Sequence, residues 1–69
     1  MPSAVTTGQK WAAWIPGRQQ WLLATVVRFE QKTIILRCDK GYGITGDADL
    51  RTDEDTMLNN RSLFRFVEV

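Results

Sequence analysis

The side chains best able to do chemistry in this chain are aromatic, and they gather at two turns. Trp14 and Trp21 flank a polar loop opened by Pro16-Gly17, and Tyr42 stands between Gly41 and Gly43. Arg18 lies inside the first loop and Asp39 just ahead of the second. Indole and phenol faces attract cations, and they supply rigid contact area at low entropic cost. The chemistry is therefore recognition: Trp14, Trp21 and Tyr42 as walls of a partner site, with Asp39 and Arg18 as its charged members. The competing role is packing, with Trp14 closing a sheet end and Tyr42 lying over the sheet as a turn aromatic.

Catalysis has little to draw on, and no catalytic residue is assigned. Histidine is absent, so neither a Ser–His pair nor the usual zinc ligand sets can form. Cys38 is the one cysteine and falls mid-sheet with no imidazole to activate it, which fits an inert buried thiol. Gly41-Tyr42-Gly43-Ile44-Thr45-Gly46 fits a dinucleotide-binding spacing, but no helix start or βαβ unit surrounds it. The acids Asp47, Asp49, Asp53, Glu54 and Asp55 resemble oxygen ligands for a cation. Arg51 interrupts the calcium-loop pattern, and helix capping accounts for the last three acids. No metal or cofactor is expected.

Charge leaves a nucleic-acid reading open. The net charge is +1, yet residues 1–46 carry six basic groups against two acids, and residues 47–69 carry three against six. Arg28, Lys32, Arg37 and Lys40 are the candidates for phosphate contact, with bases stacking on the same aromatics. Spread over several strands, they also suit an ordinary solvated face.

These residues must be positioned by strands. At 69 residues and 43% apolar content, the chain has room for one domain with a small, tightly filled core. Residues 1–7 read as a flexible N-terminal arm, and 8–69 as the domain. Residues 9–15 alternate as a first strand, with Trp11, Ala13 and Ile15 on one face and Ala12 and Trp14 on the other. Pro16-Gly17 ends it. Residues 21–29 form a second strand: Leu22, Ala24, Val26 and Arg28 face one side; Trp21, Leu23, Thr25, Val27 and Phe29 face the other. After a connection at 30–31, residues 32–38 form a third strand, with Ile34, Leu36 and Cys38 inward and Thr33, Ile35 and Arg37 outward. Residues 44–50 form a weaker fourth strand. Thr52 caps a short helix running through Met57 and Leu58 to Asn59-Asn60. Residues 62–69 form the last strand.

That order predicts an all-β fold: a five-stranded SH3-like barrel with one short helical turn before the last strand, which returns beside the first. Its pieces also resemble the Tudor family. The matching residues are Gly8 and Lys10, then Ala13-Trp14, the second strand Trp21-Leu22-Leu23-Ala24-Thr25-Val26, and Gly41-Tyr42-Gly43, together spanning residues 8–51. Gln9 stands where the family carries an acid. The resemblance implies a Tudor-type barrel and a site that accepts a methylated cation in an aromatic cage. Trp14 and Tyr42 match two cage walls; Leu22 and Ile44 occupy two other cage positions, and a third falls near Cys38 or Asp39.

Three functional classes follow. The leading expectation is a non-enzymatic module binding a protein or peptide, including a methylated or cationic side chain, through the aromatic patch. The second is an RNA- or DNA-binding barrel. The third is an oligomeric barrel with an active site in its pore, or a structural homo-oligomer. For the pore enzyme, the chain lacks the Val-Gln-Ile-Tyr signature of the plasmid-borne dihydrofolate reductases, which are SH3-like barrels of similar size. The lone cysteine and the absence of a leader-like or membrane-length apolar run predict a cytoplasmic protein with no membrane partner.

Overall fold

A computed structural model of the chain describes residues 2–39 and 49–67. The elements are β1 (Lys10–Ile15), β2 (Gln20–Glu30), β3 (Thr33–Cys38), β4 (Asp49–Thr52), α1 (Glu54–Asn59) and β5 (Phe64–Val67). They build one antiparallel sheet in the order β4-β3-β2-β1-β5. The last strand does return beside the first, pairing Ala13 with Phe64 and Trp11 with Phe66. Among the described residues no ladder joins β4 to β5, so the sheet is open between its two edge strands rather than closed into a barrel.

Alternation explains which face is buried. Trp11 and Ala13 of β1, Leu22, Ala24 and Val26 of β2, and Ile34 and Leu36 of β3 are buried. Met57, from α1, is fully buried in the same core. Trp11 is fully enclosed, its ring edge-on to Phe66 at 5.4 Å between centroids. Its indole N–H donates to Gln9 Oε1 at 3.1 Å, so the buried donor is satisfied.

Ahead of β1, Val5 packs against the sheet. That side chain is 4% exposed and belongs to the core, and its amide donates to Glu54 Oε2 at 3.0 Å. Gly8 follows at φ 90°, a conformation that glycine adopts without strain, and its amide donates to the Val26 carbonyl at 2.8 Å.

Simple alternation fails in β2. Val26 pairs with Leu36, but Arg28 pairs with Ile35, so Val27 is an extra, bulged residue. Arg28 therefore does not share the face of Leu22, Ala24 and Val26, where its charge would be buried. The bulge turns it outward and brings Phe29 opposite Ile34 instead. Ile35 lies on the outer face as expected, yet it is fully buried. Its cross-strand neighbours are Arg28 and Arg51, whose long stems can roof an apolar residue.

The helix starts one residue later than expected. Thr52 closes β4 in register with Ile34, and Asp53 is the N-cap. Its carboxylate accepts from the Thr56 amide at 3.2 Å and from Thr56 Oγ1 at 2.7 Å. Those bonds hold the Asp53 carboxyl below its ordinary value, the Thr56 hydroxyl contributing most. The β2–β3 connection is 31–32, with Gln31 at φ 58°. Of the expected fourth strand, residues 44–48 lie outside the described residues, and β4 extends past Leu50 to Thr52.

Candidate functional site

Trp14 and Trp21 meet as direct cross-strand partners at the end of the β1–β2 hairpin. Their rings stand 5.6 Å apart at 60°, an edge-to-face pair, and both are half-buried. The turn beyond them is built by Pro16 and its neighbours. Arg18 N–H donates to the Ile15 carbonyl at 3.1 Å and Gln19 N–H to the Pro16 carbonyl at 3.2 Å, with Gln19 at φ 50°. Arg18 is exposed in that turn, next to the tryptophan pair along the chain. Because Trp11 is on the opposite face, parity separates it from the other two indoles, as the alternation predicts.

Sequence reasoning missed the third member of this surface. Arg65 of β5 pairs with Ala12 of β1, and its guanidinium carbon lies 4.4 Å from the centre of the Trp21 ring. To reach a ring rooted on β2 the side chain must cross β1, and the residue opposite it there is an alanine. Arg65 Nε also donates to the Arg61 carbonyl at 3.1 Å, which fixes the plane of the group. The available signal was the alternation Phe64-Arg65-Phe66, which turns the arginine away from the core. Its register against Ala12 is not written in that pattern.

Asp39 lies beyond the end of β3, its amide donating to the Leu23 carbonyl at 2.9 Å. Its carboxylate is occupied. Lys10 Nζ lies 3.0 Å from Oδ2, and Thr25 Oγ1 donates to Oδ1 at 3.0 Å. Lys10 also donates to Thr25 Oγ1 at 2.7 Å. The three residues stitch β1, β2 and the exit of β3 on the face that bears the tryptophan pair. Tyr42, the expected third aromatic wall, lies outside the described residues, as does Lys40.

Of the basic candidates, Arg28, Arg37 and Lys32 are not gathered around the indoles. Arg28 pairs with Glu30 at 2.8 Å and with Asp49 at 3.8 Å, and Arg37 pairs with Asp49 at 3.2 Å. Arg51 reaches Glu30 at 3.2 Å. Hydrogen bonds from Arg28 and then Arg51 hold the Glu30 carboxyl below its ordinary value. Lys32 is at the opposite end of β2 from Trp21. There it borders a groove of about 380 Å³ with Phe29, Ile34, Asp53 and Glu54. Phe29 is 42% exposed, because the bulge turns it to the core side beyond the end of the packed interior.

Cys38 is half-buried opposite Ala24, and burial, then the charges of Asp39 and Asp49, push its thiol above the ordinary value. That environment disfavours the thiolate. Among the described residues no group of three or more Cys, Asp or Glu side chains could hold a metal ion, and no helix is long and apolar enough to cross a membrane. Comparison of the chain with protein families, with curated protein sequences and with solved structures finds no match to any of them.

Proposed function

We propose that this chain is a non-enzymatic binding module that holds a protein or peptide against the outer face of its β1–β2 hairpin end. The contact surface is Trp14, Trp21 and Arg65. The observation that carries the reading is the stacking of Arg65 on Trp21 beside the Trp14–Trp21 pair. Two indoles and a guanidinium held together on an open sheet face form the composition that dominates protein-binding energetics. The strand order and the helix before the last strand support an SH3-like, Tudor-type arrangement for the fold. Residence in the cytoplasm belongs to the same reading.

A methylated or otherwise cationic ligand is the narrower version of the proposal. It would approach a Trp21 face on which the chain's own guanidinium already rests, and Asp39 would first have to leave Lys10 and Thr25. A nucleic-acid role for the strand residues meets a similar obstacle, since Arg28 and Arg37 are engaged with Glu30 and Asp49.

The test is to pan a random displayed peptide library on the wild-type protein and counter-screen on the Trp14→Ala and Trp21→Ala variants, with folding checked by circular dichroism. The proposal expects peptides that bind the wild type and lose at least about tenfold on either folded variant. Binders indifferent to both substitutions, or no binders at all, would overturn it.

A further inference from the structure

We infer that the group recognised beside the tryptophan pair is a carboxylate, presented by an acidic side chain of a partner peptide next to an apolar or aromatic residue. This rests on the binding-module reading above and names the chemistry of its ligand.

The argument begins with what Arg65 has left to offer. A guanidinium carries five N–H donors in a planar fork. The Nε donor is spent on the Arg61 carbonyl, 3.1 Å away. The guanidinium carbon sits over the Trp21 ring, 4.4 Å from its centre. The terminal Nη groups have no hydrogen-bond partner among the described residues. Stacking on a ring and a bond through Nε fix the fork's orientation, so little side-chain entropy remains to be lost when a ligand arrives. An end-on fork of this kind matches the two oxygens of a carboxylate.

The charge around it favours the same ligand. The acid in the same cross-strand row is Asp39, three strands away, and it is satisfied by Lys10 and Thr25. Glu30 and Asp49 are satisfied by Arg28, Arg37 and Arg51. Among the described residues, the sheet acids Asp39, Glu30 and Asp49 are thus committed to cations other than Arg65. The same pairing argues against a nucleic acid: tracking a phosphate backbone needs a continuous strip of basic groups, and on this face Arg28, Arg37 and Arg51 are each paired with Glu30 or Asp49. One carboxylate against Arg65, with an apolar neighbour against Trp14, is the ligand that fits.

The experiment extends the panning with one further variant, Arg65→Gln, and a set of synthetic peptides. For each peptide that depends on Trp14 and Trp21, every Glu or Asp is replaced singly by its amide, and affinities are measured by fluorescence anisotropy. The inference expects selected peptides to carry an acid adjacent to an aromatic or aliphatic residue. Replacing that acid should weaken binding about tenfold or more. Arg65→Gln should cause a similar loss, and the two changes together should cost little more than either alone. Tryptophan-dependent peptides with no acid requirement, or ones rich in lysine and arginine that bind Arg65→Gln better than the wild type, would overturn the inference while leaving the binding-module reading intact. Tight binding of oligouridylate that requires Arg65 would overturn both in favour of a nucleic acid. Absence of any tryptophan-dependent peptide would also overturn both.

Discussion

Arg65 and Trp21 belong to strands that are not paired with each other, yet the guanidinium of one lies 4.4 Å from the ring centre of the other. β1 runs between them, and the residue it places opposite Arg65 is Ala12. A small side chain at that position leaves the path open. The contact thus depends on three strands being held in one register, and it reports on the integrity of the outer face.

Ala12→Leu should obstruct that path. Removing the Arg65 side chain from the wild type costs about 0.5–1 kcal/mol, the usual worth of an exposed cation–π contact. In the Ala12→Leu background the same removal should cost close to nothing. A double-mutant cycle by urea denaturation measures the coupling, and equal losses in both backgrounds would show that Ala12 does not gate the contact.

The three tryptophans should separate by stability. Trp11 is fully buried and packed on Phe66, so Trp11→Ala should cost about 3–5 kcal/mol. Trp14 is half-buried on the opposite face, and Trp14→Ala should cost about 1–2 kcal/mol. Chemical denaturation of both variants decides it. Similar losses would place Trp14 in the core and take it away from any partner.

Deleting Val27 should be tolerated, because it removes only the extra residue of the bulge. In the deletion Arg28 follows Val26 directly, so simple alternation keeps Val26 inward opposite Leu36 and Arg28 outward opposite Ile35. The expected outcome is retention of dispersed amide resonances and of cooperative melting. Loss of both would show that the bulge itself, and not only the direction of Arg28, is required by the fold.

The helix cap gives a pH dependence of defined sign. The Asp53 carboxyl is held below its ordinary value of 3.8 by the Thr56 hydroxyl and amide. Its contribution is present above that value and fades as pH falls through the lower folded-state value. Asp53→Ala should therefore lower the melting temperature at neutral pH, and the gap to wild type should shrink in strong acid. A gap that stays constant across that range would show that the carboxylate charge plays no part in the cap.

How much of this was legible beforehand depends on the distance over which each feature is decided. Alternation within residues 9–15 and 21–26 is local, and it separated Trp11 from Trp14 and Trp21 correctly. Pro16-Gly17 marked the hairpin. The bulge at Val27 is not local: no glycine announces it, and only the cost of burying Arg28 opposite Ile34 requires it. The register that brings Arg65 over Ala12 is set by Phe64 and Phe66 packing with Ala13 and Trp11, far apart in sequence. The docking of Val5 onto Glu54 spans most of the chain. The cap moved from Thr52 to Asp53 because only the latter has Thr56 three residues on, offering both an amide and a hydroxyl. Tyr42 and Lys40, two of the expected site residues, lie outside the described residues.

The central claim is that Trp14, Trp21 and Arg65 form the contact surface. Its most direct test is a nitrogen–proton correlation spectrum of the labelled protein, titrated with a peptide selected on the wild type. The account predicts that the largest shifts fall on the indole N–H groups of Trp14 and Trp21 and the Nε–H of Arg65, with Trp11 unmoved. Shifts centred instead on Phe29, Lys32 and Ile34, with the Trp14 and Trp21 indoles unchanged, would contradict it and move the site to the groove at the other end of β2.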